Sequence, residues 1–273
     1  SQTLRSYRIY RHQIGQEPKR DTLIFEEKDD TFNIGIFKSK SQKYLVIQSE
    51  STLSSEYQIL DANTPFEKFK IFHPRERGLE YDIAHYGDYF YIINNSDEAT
   101  NFKLDRTPVE RTEKTHWENV IAHRENTLLE DIEIFKDYLV ISERYNGLSR
   151  IRMITWDGLQ DKYLPFDNET YTASIGLNLD FDTEVLRYTY SSMTTPYSVI
   201  DYNMRTGESE VKKEQEILSS DFKKENYQSH RLWATAPDGA QIPISLVYRK
   251  GIELDGKNPL LLYGYGSYGI TID

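Results

Sequence analysis

Short runs of aromatic and branched apolar residues recur along this chain, separated by polar, turn-rich segments. Stretches with helical periodicity are scarce. The strongest runs are Tyr44–Ile47, Tyr89–Ile93, Tyr138–Ile141 and Val185–Tyr188, and successive runs start 45, 49 and 47 residues apart. Each is followed 12 or 13 residues later by a second strand signal, at Tyr57–Leu60, Phe102–Leu104, Ile151–Ile154 and Tyr197–Ile200. Each is preceded by a shorter apolar run, at Phe32–Phe37, Tyr81–Ile83, Ile132–Phe135 and Ile175–Leu179. A weaker fourth run closes each unit, at Phe66–Phe72, Trp117–Ile121, Lys162–Phe166 and near Ser209–Val211. The pattern predicts four units of four strands, the repeat of a β-propeller blade. A sandwich also has many short strands, but a period near 45 residues favours the propeller. No Trp-Asp signature recurs from unit to unit. Two earlier strands, Tyr7–Tyr10 and Thr22–Phe25, read as part of a preceding blade. About four and a half blades are therefore expected, in a chain that starts inside a propeller.

The pattern changes near residue 222. Gln215 to Lys224 is the best helical candidate, and it is short. Ser229–Thr235 and Ile242–Tyr248 alternate on either side of a Pro-Asp-Gly turn, which predicts a hairpin. Pro259–Tyr263 is a continuous apolar run of the kind that forms a strand buried on both faces in an α/β sheet. The expected division is 1–222 for the partial propeller and 223–273 for the first strands of another domain.

Composition sharpens the picture. Twenty-one Tyr and 12 Phe suit pleated, half-buried surfaces. With 33 basic and 44 acidic side chains the net charge is −11, which argues against nucleic acid. No apolar run is long enough to span a membrane. The absence of Cys removes thiol nucleophiles, disulfides and cysteine metal sites. No secretory signal is read at the start of the chain, and a cytoplasmic location is expected.

Candidate chemistry is sparse. Gly264 to Gly269 matches G-x-G-x-x-G after a strand signal, the turn that brings backbone amides to a pyrophosphate, but two tyrosines crowd it and no helix pattern follows. No G-x-S-x-G elbow is present, and Ser267 reads as a loop hydroxyl. The histidines, His12, His73, His85, His116, His123 and His230, lack metal-ligand spacing and read as packed or surface residues. No metal and no cofactor is expected. Two acidic clusters, Glu26–Asp30 and Glu130 to Glu133, read as solvated loops that could line a channel or attract cations. Asn94 and Asn168 begin glycosylation sequons, which are read as chance matches.

The stretch Asp255–Gly269, with its Tyr-Gly-Tyr-Gly-Ser-Tyr-Gly signature, resembles the prolyl oligopeptidase family in its oligopeptidase B, or protease II, branch. Thr3–Arg5, Tyr10–His12, Glu26–Phe32 and Glu80–Tyr86 resemble the propeller of the same branch. The resemblance implies a serine peptidase in which a seven-bladed propeller caps an α/β-hydrolase domain and restricts entry to short peptides, cleaved after Arg or Lys. It implies that the Ser/Asp/His triad lies downstream of this chain, which alone would be inactive. It makes Tyr265 the oxyanion donor, Tyr268 an aromatic of the primary specificity pocket, and Asp273 an acid that holds a basic side chain. The implied partners are basic peptides, the remaining blades and the hydrolase domain. Open propeller edges would favour self-association. A freestanding propeller that binds peptides or proteins without catalysis is the alternative.

Overall fold

The computed structural model describes residues 4–219, 221–267 and 271–272. Its regular structure is almost wholly strand, and the strand order follows the predicted repeat. The first pair, β1 (Arg8–Arg11) and β2 (Thr22–Glu26), forms a two-stranded sheet. Next come β3 (Asn33–Lys38), β4 (Tyr44–Glu50), β5 (Ser55–Asp61) and β6 (Lys70–His73), side by side in chain order. The same arrangement repeats in β7 (Tyr81–Tyr86), β8 (Tyr89–Asn94), β9 (Lys103–Pro108) and β10 (Glu118–Ile121). It repeats again in β11 (Thr127–Ile134), β12 (Tyr138–Tyr145), β13 (Leu148–Thr155) and β14 (Asp161–Tyr163), and in β15 (Thr172–Ile175), β16 (Val185–Ser191), β17 (Ser198–Asn203) and β18 (Ser209–Glu214). The last pair, β19 (Tyr227–Thr235) and β20 (Gln241–Arg249), is an antiparallel hairpin. Four-stranded sheets of sequential neighbours are the blade module that the spacing predicts.

The chain divides into two compact units, Ser1–Ile134 and Phe135–Asp273. The core of the first explains why the second strand of each repeat reads as an unbroken apolar run. Successive strand residues point to opposite faces. Ile47 packs with Ile9 and Ile34 on one side of its sheet. Its neighbour Val46 packs on the other side with Tyr57, Phe72, Tyr81, Phe90 and Ile92. A sheet covered on both faces leaves a central strand no polar side. Phe72 and Phe90 meet edge to face across this layer, ring centres 5.1 Å apart, the arrangement their quadrupoles favour. Backbone groups are matched across it too: the Tyr57 N–H donates to Tyr81 Oη at 3.0 Å, and that hydroxyl donates to the carbonyl of His73 at 2.7 Å.

The second unit repeats the arrangement around Val140, Ile151, Met153, Leu186, Tyr188 and Met204. Its β12–β13 turn is a two-residue loop, Asn146 at φ 50° and Gly147 at φ 73°. Two left-handed residues in succession suit the twist of a hairpin, and Asn-Gly is the pair that tolerates them best.

Two expectations fail. Gln215 to Lys224 is not a helix: Gln215–Ser219 is irregular and only Lys224–Asn226 makes a single 3-10 turn. Pro259–Tyr263 is not a buried strand. It has no regular structure, and Leu260, Leu261 and Leu262 are 76%, 90% and 80% exposed. A strand needs hydrogen-bonded neighbours, and this exposed run is paired with no strand among the described residues.

Candidate functional site

The residues singled out by the family signature lie beyond the hairpin. After β20 the chain turns at Lys250–Gly251 and continues without strands to Ser267. Tyr265 is 49% exposed. Its neighbours Gly264 and Gly266 have no atoms within 4 Å of where a Cβ would sit, so the loop is open on both sides of it. Tyr268 and Asp273 lie outside the described residues. Ser267 is an exposed loop residue, as read from the sequence. A pocket of about 730 Å³ lies at the foot of the hairpin, with Asp221, Lys223, Asn226 and Arg249 on its wall. Tyr265 is not among the described residues that line it.

The histidines take structural partners. His12 pairs with Asp21 at 2.7 Å, His73 with Glu76 at 2.8 Å, and His85 with Ser41 Oγ at 2.7 Å. Burial pushes the His85 imidazole down to about 4, so it stays neutral in its aromatic cage of Tyr44 and Phe90. No group of three His, Cys, Asp or Glu among the described residues is arranged to hold a metal. The sequon residue Asn94 is fully buried and donates to Asp105 at 2.9 Å, which fits the reading of a chance match.

The acidic clusters separate into different roles. Glu26 accepts from Arg8 at 2.8 Å, and Glu27 is buried against Arg75 at 2.7 Å. The first cluster is therefore part of the framework. In the second, Glu133 receives Lys40 at 2.5 Å, while burial raises the carboxyls of both Asp131 and Glu133. Asp82, on β7, joins this surface. Burial among the surrounding strands pushes its carboxyl up to about 6 although water reaches it; the Tyr57 hydroxyl works in the opposite direction, and Asp131 and Glu50 add to the rise. Sequence spacing could not reveal this grouping, because Glu50, Tyr57, Asp82 and Asp131 come from four strands.

A raised carboxyl lowers stability once it must ionise. The native state holds the Asp82 proton to higher pH than the unfolded chain does, so this group makes stability fall as pH rises from about 4 through about 6. Asp82→Asn removes that slope. The variant is expected to gain thermal midpoint relative to the parent chain at pH 7.5, and to gain much less at pH 4.5. An equal difference at both values would show that Asp82 does not titrate in this window.

Comparison with known proteins places this geometry. Residues 1–215 match the family model described as "Prolyl oligopeptidase, N-terminal beta-propeller domain". Over 273 residues the chain is 41% identical to dipeptidyl aminopeptidase BI of Pseudoxanthomonas mexicana, covering all of this chain and 37% of that protein. It is 34% identical over 269 residues to protease 2 of Moraxella lacunata, covering 98% of this chain and 38% of that one. The chain thus spans under two fifths of these relatives. Among solved structures, oligopeptidase B from Trypanosoma brucei with covalently bound antipain, in a closed form, matches with a TM-score of 0.91 at 34% identity, over 98% of this chain and 39% of that one. Oligopeptidase B from Leishmania major matches with a TM-score of 0.90 at 29% identity, over 99% and 39% respectively. The 45-residue repeat, its four-stranded sheets and these matches agree: the chain belongs to the prolyl oligopeptidase family of serine peptidases, and residues 1–215 match that family's N-terminal β-propeller domain.

Proposed function

We propose that this chain is the propeller and the opening strands of the peptidase domain of a serine oligopeptidase that hydrolyses short peptides after Arg or Lys. The observation that carries the reading is the continuity of two signals: a propeller match over 1–215, then the hairpin and the Tyr-Gly-Tyr-Gly-Ser-Tyr-Gly loop with Tyr265 open to solvent. In this reading the Tyr265 phenol donates to the oxyanion of the tetrahedral intermediate, Tyr268 lines the primary pocket and Asp273 pairs with the basic side chain, a match for the guanidinium fork. The nucleophile and its base lie in the rest of the protein, so the 273-residue chain alone has no peptidase activity.

The relative named dipeptidyl aminopeptidase BI favours a second reading, release of dipeptides from free N-termini. One assay separates the two. The full-length gene product is given fluorogenic amides ending in Arg, Lys, Pro or Ala, each with a free and an acylated N-terminus. Cleavage of acylated Arg and Lys substrates supports the first reading. Cleavage confined to free dipeptidyl amides supports the second. No cleavage of any of them returns the chain to a binding propeller.

The isolated chain is also expected to self-associate. Leu260, Leu261, Leu262 and Tyr263 present a continuous apolar run to water, and such runs seek partners. Sedimentation velocity should show the mean mass rising with concentration. A monomer mass across a wide concentration range contradicts this.

A further inference from the structure

The hairpin β19–β20 lies past the end of the family match, yet it is fastened to the sheets of its own unit, most directly through Arg231. The guanidinium of Arg231 donates to the carbonyl of Asn146 at 2.8 Å, across 85 residues of chain, and to Ser245 Oγ on the partner strand at 3.4 Å. Its backbone N–H donates to Glu169 Oε2 at 3.1 Å, and His230 Nδ1 stands 3.5 Å from the same oxygen. One residue therefore ties the hairpin to the β12–β13 turn and to the loop before β15. The seat is close-fitting. A Cβ on Gly147 would lie 2.7 Å from Arg231 Nη2 and 3.0 Å from Pro243 Cγ. Glycine at this turn suits both its positive φ and the close approach of Arg231 and Pro243.

The hairpin is the last strand pair before Tyr265 among the described residues. Its base is closed by the Lys250 N–H donating to the Asn226 carbonyl at 2.8 Å. The direction in which the chain leaves β20 is thus set by how the hairpin is seated.

We propose that Arg231 is a positioning residue of the peptidase: by clamping the hairpin onto the Asn146–Gly147 turn, it sets the course of the segment that carries Tyr265. This rests on the reading of Tyr265 as the oxyanion donor. A donor displaced by a fraction of an ångström still binds substrate but stabilises the transition state less, so the effect belongs in kcat.

The test is a double-mutant cycle in the full-length gene product, read with an Arg-ending peptide amide. Arg231→Ala is expected to lower kcat roughly tenfold and to change KM less than about twofold. Arg231→Lys should recover part of the loss, since a single ammonium can reach the Asn146 carbonyl but cannot also reach Ser245 with a fixed fork. In a Tyr265→Phe background the Arg231→Ala loss should vanish, because the group it positions is gone. Equal losses in both backgrounds, or a loss in KM alone, overturn the proposal and leave the role of Tyr265 standing. If Tyr265→Phe itself leaves kcat unchanged, the oxyanion reading falls and this proposal with it. Should Arg231→Ala fail to fold, Arg231→Gln carries the same cycle.

Discussion

Replacing Tyr265 by Phe in the full-length protein is expected to lower kcat for an Arg-ending peptide amide by roughly a hundredfold while leaving KM nearly unchanged. The substitution removes one oxygen and keeps the ring. Tyr265 is half exposed in this chain, and thermal stability should hold within about 0.5 kcal/mol. A hydrogen bond that strengthens only as charge gathers on the oxyanion contributes to the transition state and not to the bound substrate. One such donor is worth about 3 kcal/mol, which converts to the stated loss. Steady-state kinetics with amide substrates make the measurement. A loss below about threefold would remove Tyr265 from the oxyanion site.

The second large effect is structural. Arg75→Ala is expected to cost the chain about 3 kcal/mol at pH 7, measured as a lower urea midpoint with an unchanged slope. Arg75 lies in the loop after β6 and holds two buried carboxylates from different segments. Its Nη2 donates to Glu27 Oε2 at 2.7 Å and to Glu56 Oε1 at 3.1 Å. Its backbone N–H donates to Glu56 Oε2 at 3.0 Å, and its guanidinium lies 3.9 Å over the ring of Phe32. Glu27 and Glu56 are only 7% and 8% exposed, so without the guanidinium two charges stay desolvated and unpaired. The figure sits at the low end of the range for broken buried pairs because the Arg75 side chain keeps 30% of its exposure.

The pH dependence identifies the cause. Burial pushes the Glu27 carboxyl up, but the contacts with Arg75 and with the Asp29 N–H outweigh it and hold the carboxyl below its usual range. A depressed carboxylate adds stability above its unfolded value, and that stability is lost as pH falls through the native value. In Arg75→Ala the burial acts unopposed, and the carboxyl is relieved by protonation at low pH. The gap between parent and variant should therefore narrow from pH 7 towards pH 4. A gap that stays constant would assign the loss to packing on Phe32 instead. Replacing Arg75, Glu27 and Glu56 together by Met, Gln and Gln should recover part of the stability, since no buried charge is then orphaned.

Much of the fold was legible because a propeller blade is a local object. Consecutive strands pair with each other, so the runs at Tyr44, Tyr89, Tyr138 and Val185 mark both a strand and its place in the sheet. The hairpin at Tyr227–Arg249 was equally readable, because its turn and both alternating arms lie within a short stretch. The run Pro259–Tyr263 misled for the same reason in reverse. Its apolar pattern states what the segment would bury, not whether a neighbour stands beside it. The role proposed for Tyr265 comes only from the family signature. Nothing in spacing or periodicity distinguishes it from the other tyrosines.

The amino-acid order by itself determined the strands of the four-stranded units, the 45-residue repeat and the change of pattern near residue 222, because each depends on neighbours within one turn or one hairpin. Tertiary structure alone decided which polar groups meet. Arg75 finds Glu27 across 48 residues, and Arg231 finds Asn146 across 85. Burial, and with it the energy of a charge or the pKa of Asp82, is a property of what surrounds a side chain in space. That surrounding is assembled from strands whose separation along the chain carries no local signal.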